Sequence, residues 1–395
     1  MKLLQDIVVV DFSRVLAGPF ATQIFAELGA EVVKVERPKT GDESRDWEPL
    51  TKQGQSAYFY SVNRGKRSIT LDLKSRRGAQ IAFDLATQAD VVVENFLPGH
   101  MKKLGLGYEA LAEVNPRLVY VACTGFGQSG PYRDRKGYDT IFQALSGLMS
   151  LTGHADGPPA KAGLPFADLS SGLWIAISML AGLVGRGTSG RGCYIDLSMM
   201  DVQVSLLTIA AARLFALGEE PTRCGTEHLG RVPSAAFECR GEQWVHISGS
   251  DQHWMSLCQV LGLSELAADE SFRTNAGRLR ARDRIMTAMR DAIKSRERAE
   301  LMAHLIAADV PAGEVNSVSE VLDDPHIVAR GMRAAFEHPL EGEFPALRQP
   351  LRILGAEQPD VGAPPQLGAH TSEVLRSRLA MDEQTIEELA RAGVI

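Results

Sequence analysis

Short apolar runs separated by stretches of helical spacing fill the first third of the chain, and this alternation constrains its fold more than any other feature. Ile7–Phe12, Glu31–Glu36, Ser68–Leu73, Asp90–Phe96 and Leu118–Cys123 each have the length and texture of one buried strand. Between them, Gly18–Leu28 sets Phe20, Ile24, Phe25 and Leu28 at helical intervals, and Gly78–Ala86 reads as a further helix. Strands that alternate with helices and are bounded by glycine or proline call for cover on both faces. They belong in a parallel sheet covered on both sides and joined by helical crossovers. The expected fold class is α/β and doubly wound. Longer helices are expected at Gly172–Val184 and Asp201–Leu217, with a strand at Tyr194–Leu197 between them.

The texture changes after Gly218. Ala235–Arg240 and Gln243–Ile247 flank a Gly-Glu turn and predict a hairpin, followed by a helix near Gln252–Leu261 and charged helices across Arg280–Ala308. The expected division is a large domain over 1–220, a smaller α+β domain over 225–325, and a C-terminal segment over 330–395. That last segment alternates at 335–355 and closes with helices at Ser372–Arg378 and Asp382–Ala392.

Composition narrows the functional classes. With 42 Lys+Arg against 49 Asp+Glu the chain carries a net charge of −7, without the basic excess that phosphate-backbone binding needs, so nucleic acid is not the expected partner. The apolar stretches Leu173–Val184 and Val202–Leu217 are interrupted by small or polar residues, so core helices are expected and no membrane. Ile7-Val-Val-Val10 is not preceded by a secretory signal pattern. The five cysteines are scattered with no C-x-x-C pair, which suggests neither a zinc ribbon nor a disulfide framework and fits a reducing, cytoplasmic setting.

Few residues announce chemistry. Gly125-Phe-Gly127-Gln-Ser-Gly130 has the glycine spacing of a dinucleotide loop, but the polar Pro131–Gly137 follows where an amphipathic helix should begin, so a plain glycine loop is expected. No G-x-S-x-G or H-E-x-x-H segment is present, and His246 with His253 has no metal-ligand spacing. Cys123 ends a strand and reads as a small buried residue. Asp168 stands before an apolar helix. Judged alone it reads first as a helix cap, though the same placement would also keep a carboxylate ionised by the helix dipole while an apolar wall excludes water, the setting of a covalent nucleophile.

Several segments together resemble the family III coenzyme A transferases, which include formyl-CoA transferase and the acyl-CoA racemases. They are Asp11-Phe-Ser-Arg-Val-Leu-Ala-Gly-Pro19, Leu28–Arg37, Asn63-Arg-Gly-Lys-Arg-Ser68, Val93-Glu-Asn-Phe-Leu-Pro-Gly99, Gly190-Arg-Gly192 and Leu367-Gly-Ala-His-Thr371. The resemblance implies a Rossmann-like large domain with a parallel sheet, a smaller α+β domain, a C-terminal segment returning to the large domain, and an interlocked homodimer. It implies acyl-CoA and a small carboxylic acid as partners, with no permanently bound cofactor and no metal.

By motif position the resemblance makes Asp168 the nucleophile on the thioester, forming first an aspartyl–acyl anhydride and then an aspartyl–CoA thioester. It assigns Leu16, Arg37, Asn95, Lys103 and Lys136 to CoA, and it matches Ser248–Gln252, with Gly249 and Gln252, to a small-domain loop that in oxalate-using relatives closes over the intermediate. Racemases of the family carry Gly-His-Asp where this chain has Gly137-Tyr138-Asp139. Without the imidazole a second base is missing, which favours transfer over racemisation of a 2-methylacyl-CoA. A CoA-binding protein without catalysis is the third alternative. Ser13–Phe20 and Gly225–Pro233 resemble the succinyl-CoA–glutarate branch. With Arg14 and Arg231 as guanidinium anchors for a second carboxylate, succinyl-CoA as donor and a glutarate- or itaconate-like acceptor are the expectation.

Overall fold

The computed structural model describes residues 2–355 and 361–395; Met1 and residues 356–360, which belong to the ranges expected for the first domain and the C-terminal segment, lie outside the described residues. The chain forms two compact units: Met1–Leu148 with Lys161–Leu217 and His326–Ile395, and Met149–Ala160 with Gly218–Pro325.

The first unit is built on six strands, β1 (Val8–Asp11), β2 (Glu31–Glu36), β3 (Arg67–Thr70), β4 (Val91–Glu94), β5 (Val119–Thr124) and β6 (Cys193–Ser198), in the order β3-β2-β1-β4-β5-β6. Every pairing is parallel, with Val10 opposite both Val33 and Val92. This is the doubly wound order, whose direction of growth reverses between β1 and β4. Strand alternation divides the apolar side chains between two cores. Val10, Val33, Ile69, Val92 and Tyr120 meet Ile81 and Leu85 of helix Arg76–Thr87, together with Val374, Leu375, Ile386 and Leu389 from the two last helices, Thr371–Leu379 and Glu383–Arg391. Val9, Val32, Val91, Val93, Val119 and Val121 meet Ala21 and Phe25 of helix Ala17–Glu27, and Ile175 and Met179 of helix Phe166–Ser189.

That helix has 24 residues and enough apolar character to cross a membrane by length and composition. One of its faces is committed to the core. Gly172 lets it lie on helix Ala17–Glu27, since a Cβ there would sit 2.8 Å from the Ala17 carbonyl oxygen and 2.9 Å from the Phe20 ring. The helix begins at Phe166, so Asp168 lies inside its first turn rather than ahead of it. The single helix expected over Asp201–Leu217 is two, Met199–Ser205 and Thr208–Leu217, bent by 60°. Serine and threonine explain the break: Ser205 Oγ donates to the Val202 carbonyl at 2.7 Å and Thr208 Oγ1 to the Ser205 carbonyl at 2.8 Å, competing with the helical ladder.

The second unit has an antiparallel sheet in the order β7 (Ser234–Glu238), β8 (Trp244–Ser248) and β9 (Ala312–Glu314), packed with helices around Phe237, Ile247, Trp254, Leu257, Ile285 and Met289. Met149–Ala160, inside the range expected for the first domain, falls with this unit. The Gly225 N–H donates to the Gly153 carbonyl at 2.9 Å, and Arg223 Nη2 to the Gly157 carbonyl at 3.0 Å. A hairpin of β10 (Arg333–His338) and β11 (Gly342–Leu347) belongs to the first unit.

Candidate active site

In a doubly wound sheet the loops leaving the carboxyl ends of the strands on either side of the reversal enclose a crevice. Here those loops follow β1 and β4, and two hydrogen bonds join them: the Arg14 N–H donates to Asn95 Oδ1 at 2.9 Å, and Asn95 Nδ2 donates to the Arg14 carbonyl at 2.8 Å. The loop after β1 is forced into an unusual shape. Val15, a β-branched residue, has φ 69°, a conformation that persists only where its surroundings impose it. The Val15 N–H points at both Asp42 oxygens, 3.2 Å from each, and Asp42 is paired at 2.9 Å with the buried Lys34. Leu16 is buried and opens helix Ala17–Glu27.

A cleft of about 390 Å³ opens over the ends of β1 to β4, lined among others by Arg14, Arg37, Lys74, Phe96, Leu97 and His100. Arg37 is exposed at its edge. The Arg14 guanidinium lies 4.9 Å from the Phe96 ring centroid and 3.3 Å from Glu43. Arg14, expected as an anchor for the acid, therefore borders the same cleft as Arg37, expected to meet CoA. Lys103 is exposed at the end of the short helix His100–Lys103, and its charge, after burial and Arg14, helps to lower the His100 pKa. Lys136 is exposed in the loop before helix Asp139–Leu145, and Tyr138, 77% exposed, precedes that helix. Lys74 and His100 are cleft residues that the sequence reading did not select.

Asp168 has a different setting. The first turn of its helix is capped by Asp139: Asp139 Oδ1 accepts from the Ala167 N–H at 2.7 Å and from the Asp168 N–H at 3.3 Å, while Asp139 Oδ2 accepts from Gln143 Nε2 at 2.6 Å. Gln143 is buried, and its Oε1 accepts from the Ala162 N–H at 2.9 Å, tying down the segment that leads to Asp168. The glycine loop after β5 serves the same construction. A Cβ on Gly125 or Gly137 would lie 2.7 or 2.6 Å from the Phe142 ring, so both glycines make room for the helix that carries Asp139. Cys123 is buried and its thiol is pushed up by burial, as a packing residue should be.

The Asp168 side chain is thus released from capping. Among the described residues no hydrogen bond stabilises its carboxylate; burial, and then the Asp139 charge, raise its pKa to about 7. The helix dipole does not keep it fully ionised, contrary to the expectation from sequence, because desolvation and a like charge outweigh a dipole effect. A carboxylate that carries charge at neutral pH without partners is a stronger nucleophile than one wrapped in hydrogen bonds. Tyr58, also missed in the sequence, is half-buried beside this group: after burial, the charges of Asp168, Asp42 and Asp139 raise its phenol.

Arg231, Gly249 and Gln252 lie in the second unit. Arg231 is exposed on the turn before β7, Gly249 is buried with its N–H donating to the Pro233 carbonyl at 3.0 Å, and Gln252 is exposed in the short turn after β8.

Comparison with known proteins agrees with this architecture. The model of CoA-transferase family III matches residues 4–371. The chain is 38% identical over 395 residues to succinyl-CoA:glutarate CoA-transferase of Mus musculus, covering 100% of this chain and 91% of that protein. It is 36% identical to succinate–glutarate CoA-transferase of Agrobacterium fabrum, covering 98% and 97%. The crystal structure of a CAIB/BAIF family protein from Brucella suis superposes with a TM-score of 0.85 at 37% identity, covering 94% of this chain and 98% of that one. A switch-point crevice, an unpartnered aspartate on a capped helix and matches along nearly the whole length converge on one conclusion: the chain belongs to CoA-transferase family III and is an enzyme of that family.

Proposed function

We propose that this enzyme moves CoA from succinyl-CoA to a short dicarboxylic acid of the glutarate or itaconate kind, with Asp168 as covalent relay. The observation that carries the chemistry is the unpartnered Asp168 carboxylate, half-buried and raised to about 7 beside Asp139. The substrate class is supported by the similarity to the mouse and Agrobacterium proteins named for succinyl and glutarate.

In the first step a carboxylate oxygen of Asp168 attacks the thioester carbonyl; the C–S bond breaks, leaving an aspartyl–succinyl anhydride and CoA thiolate. The thiolate attacks the aspartyl carbonyl, succinate leaves, and an aspartyl–CoA thioester remains. The incoming acid attacks that thioester and returns the thiolate with a new anhydride. The thiolate then takes the acyl group and frees Asp168. Each step exchanges one activated acyl bond for another, so no ATP is consumed, while water would end the cycle by hydrolysis.

The residues assigned to CoA are Leu16, Arg37, Asn95, Lys103 and Lys136, with Arg37 and Asn95 standing at or beside the switch-point cleft. Arg14 and Arg231 are assigned to the distal carboxylate, with Tyr138, Gly249 and Gln252 toward the substrate. The enzyme acts as a homodimer in this reading. Helix Phe166–Ser189 leaves Leu173, Ile177, Leu180 and Val184 exposed at helical spacing, and helix Thr208–Leu217 leaves Ile209 and Phe215 81% and 83% exposed, a surface that a second copy would cover. Sedimentation is expected to return a dimer, and a monomer would remove that part of the reading.

The deciding experiment supplies succinyl-CoA, a 2-methylacyl-CoA and free dicarboxylic acids in deuterated buffer and follows the thioesters by mass spectrometry. Thioesters of the added acids, absent with Asp168→Asn, are expected. A pool unchanged except for a single deuterium on the 2-methylacyl-CoA would overturn the proposal in favour of racemisation.

A further inference from the structure

The second unit contains one guanidinium withdrawn entirely from water. Arg278, on helix Asn275–Arg280, is 0% exposed. Burying that charge is costly unless it is paired and its donors find partners. Its fork is spent on three separate segments: Nε donates to the Val232 carbonyl at 2.6 Å, Nη1 to the Phe272 carbonyl at 2.7 Å, and Nη2 to Asp251 Oδ1 at 2.7 Å. The guanidinium carbon lies 5.1 Å from the Trp254 ring centroid.

One turn earlier on the same helix, Asn275 grips the same strip of backbone. Its Oδ1 accepts from the Val232 N–H at 3.1 Å and its Nδ2 donates to the Gly230 carbonyl at 2.9 Å. Arg282 continues the pattern, with Nη2 donating to the carbonyls of His228 and Leu229 at 2.9 and 2.8 Å. The backbone on both sides of Arg231 is thereby held by side chains from one helical stretch, while the exposed Arg231 side chain has no partner among the described residues. The hold extends to the loop after β8, because Arg278 also carries Asp251 and the Pro233 carbonyl accepts from the Gly249 N–H.

We propose that Arg278 and Asn275 are positioning residues for acid recognition: together they fix the Gly230–Val232 backbone that presents Arg231, and Arg278 sets the Ser248–Gln252 loop in register with it. This rests on the transferase reading above and adds to it the groups that aim its second-unit anchor. A guanidinium can meet a carboxylate in a two-point contact only if its own backbone is fixed to well under an ångström.

The test uses the full-length protein with succinyl-CoA as donor and glutarate as acceptor, and measures the Kd of free CoA, which carries no acid, by calorimetry. Arg231→Ala and Asn275→Ala are each expected to raise the glutarate KM about tenfold, as loss of an aligned contact does, with the CoA Kd held within about twofold. The double variant is expected to be little worse than either single one, because both remove the same contact. Arg278→Lys, which keeps the charge but loses the fork, should move KM in the same direction; if it does not fold, Asn275→Ala decides. Effects of Arg231→Ala and Asn275→Ala that multiply, or an Asn275→Ala defect that weakens CoA equally, would overturn the assignment, as would a glutarate KM indifferent to Arg231→Ala. If the unaltered protein transfers CoA to no dicarboxylic acid, the functional reading fails and takes this assignment with it.

Discussion

Two groups of aspartates in the first unit show opposite uses of the same side chain. Asp11 and Asp42 are buried beneath the loop after β1, where burial alone would raise their pKa values, yet both are lowered. Lys66 and Lys34 face Asp11, and Lys34 with the Ser44 N–H faces Asp42. Lys66 Nζ lies 3.2 Å from Asp11, and Lys34 Nζ donates to the Ser13 carbonyl at 2.8 Å. Asp168 is less deeply buried but among the described residues has no cation and no donor, only the charge of Asp139 nearby, and it is raised to about 7. The first group spends its charge on holding a strained loop in place. The second has no such commitment, which is what the proposed nucleophile needs. Partners, more than depth, separate a structural carboxylate from a reactive one.

The contrast breaks most visibly at Asp168, the proposed nucleophile. Asp168→Asn should abolish CoA transfer by a factor on the order of 10⁴ or more while the protein stays folded, checked by thioester exchange beside thermal melting. Asp42→Ala should do the converse to the structural group. It removes the Asp42 partner of the buried Lys34 ammonium, which keeps Asp11, Glu36 and the Ser13 carbonyl, and frees Val15, so the cost in denaturant unfolding should be at most the roughly 3–5 kcal/mol of a broken buried pair.

The pH dependence sharpens the same comparison. In the proposed mechanism transfer requires the ionised Asp168, so kcat/KM should rise with pH and reach half its plateau near 7, the value to which burial and Asp139 raise the group. Asp139→Asn removes the lesser of those two causes and should move the midpoint down, though not as far as the roughly 3.9 of an unburied aspartate. A midpoint unmoved by Asp139→Asn would show that burial alone tunes the nucleophile. The smallest effect is expected at Arg14, whose exposed pair with Glu43 is worth at most about 1 kcal/mol and is readily exchanged for a substrate carboxylate. Arg14→Ala should raise the glutarate KM several-fold more than the CoA Kd; the reverse ranking would assign Arg14 to CoA with its cleft neighbour Arg37.

The strands of the first unit were legible because they alternate with helical spacing and most carry a short apolar run, such as Val8–Val10 or Val91–Val93, a purely local signal. The pairing of the loop after β1 with Asn95 had no local signal, since the Arg14–Asn95 hydrogen bonds join loops 81 positions apart. What escaped was non-local or competitive. Asp168 reads as a capping residue until Asp139, 29 positions away, is seen to take that task. The glycine pattern 125–130 looks like a nucleotide loop, yet the Phe142 ring explains why Gly125 is small. The bend after Ser205 is written in two hydroxyl groups whose preference for backbone carbonyls is hidden within an otherwise helical spacing. Tyr58 had no sequence signal: what sets it apart is burial together with the charges of Asp168, Asp42 and Asp139.

The two last helices supply Val374, Leu375, Ile386 and Leu389 to the core that β1 to β5 share, and the Val394 carbonyl accepts from the Asp72 N–H at 2.7 Å. During synthesis, then, the first strands leave the ribosome long before the side chains that seal one of their faces have been made. The second unit is encoded between the two and, apart from the short segment Met149–Ala160, is continuous in sequence, so its own core is complete earlier. The order of birth is therefore not the order of completion: an early-made sheet must wait, with one apolar face incompletely covered, for residues near 371–394, and that interval is when the chain is most exposed to aggregation and most in need of a chaperone.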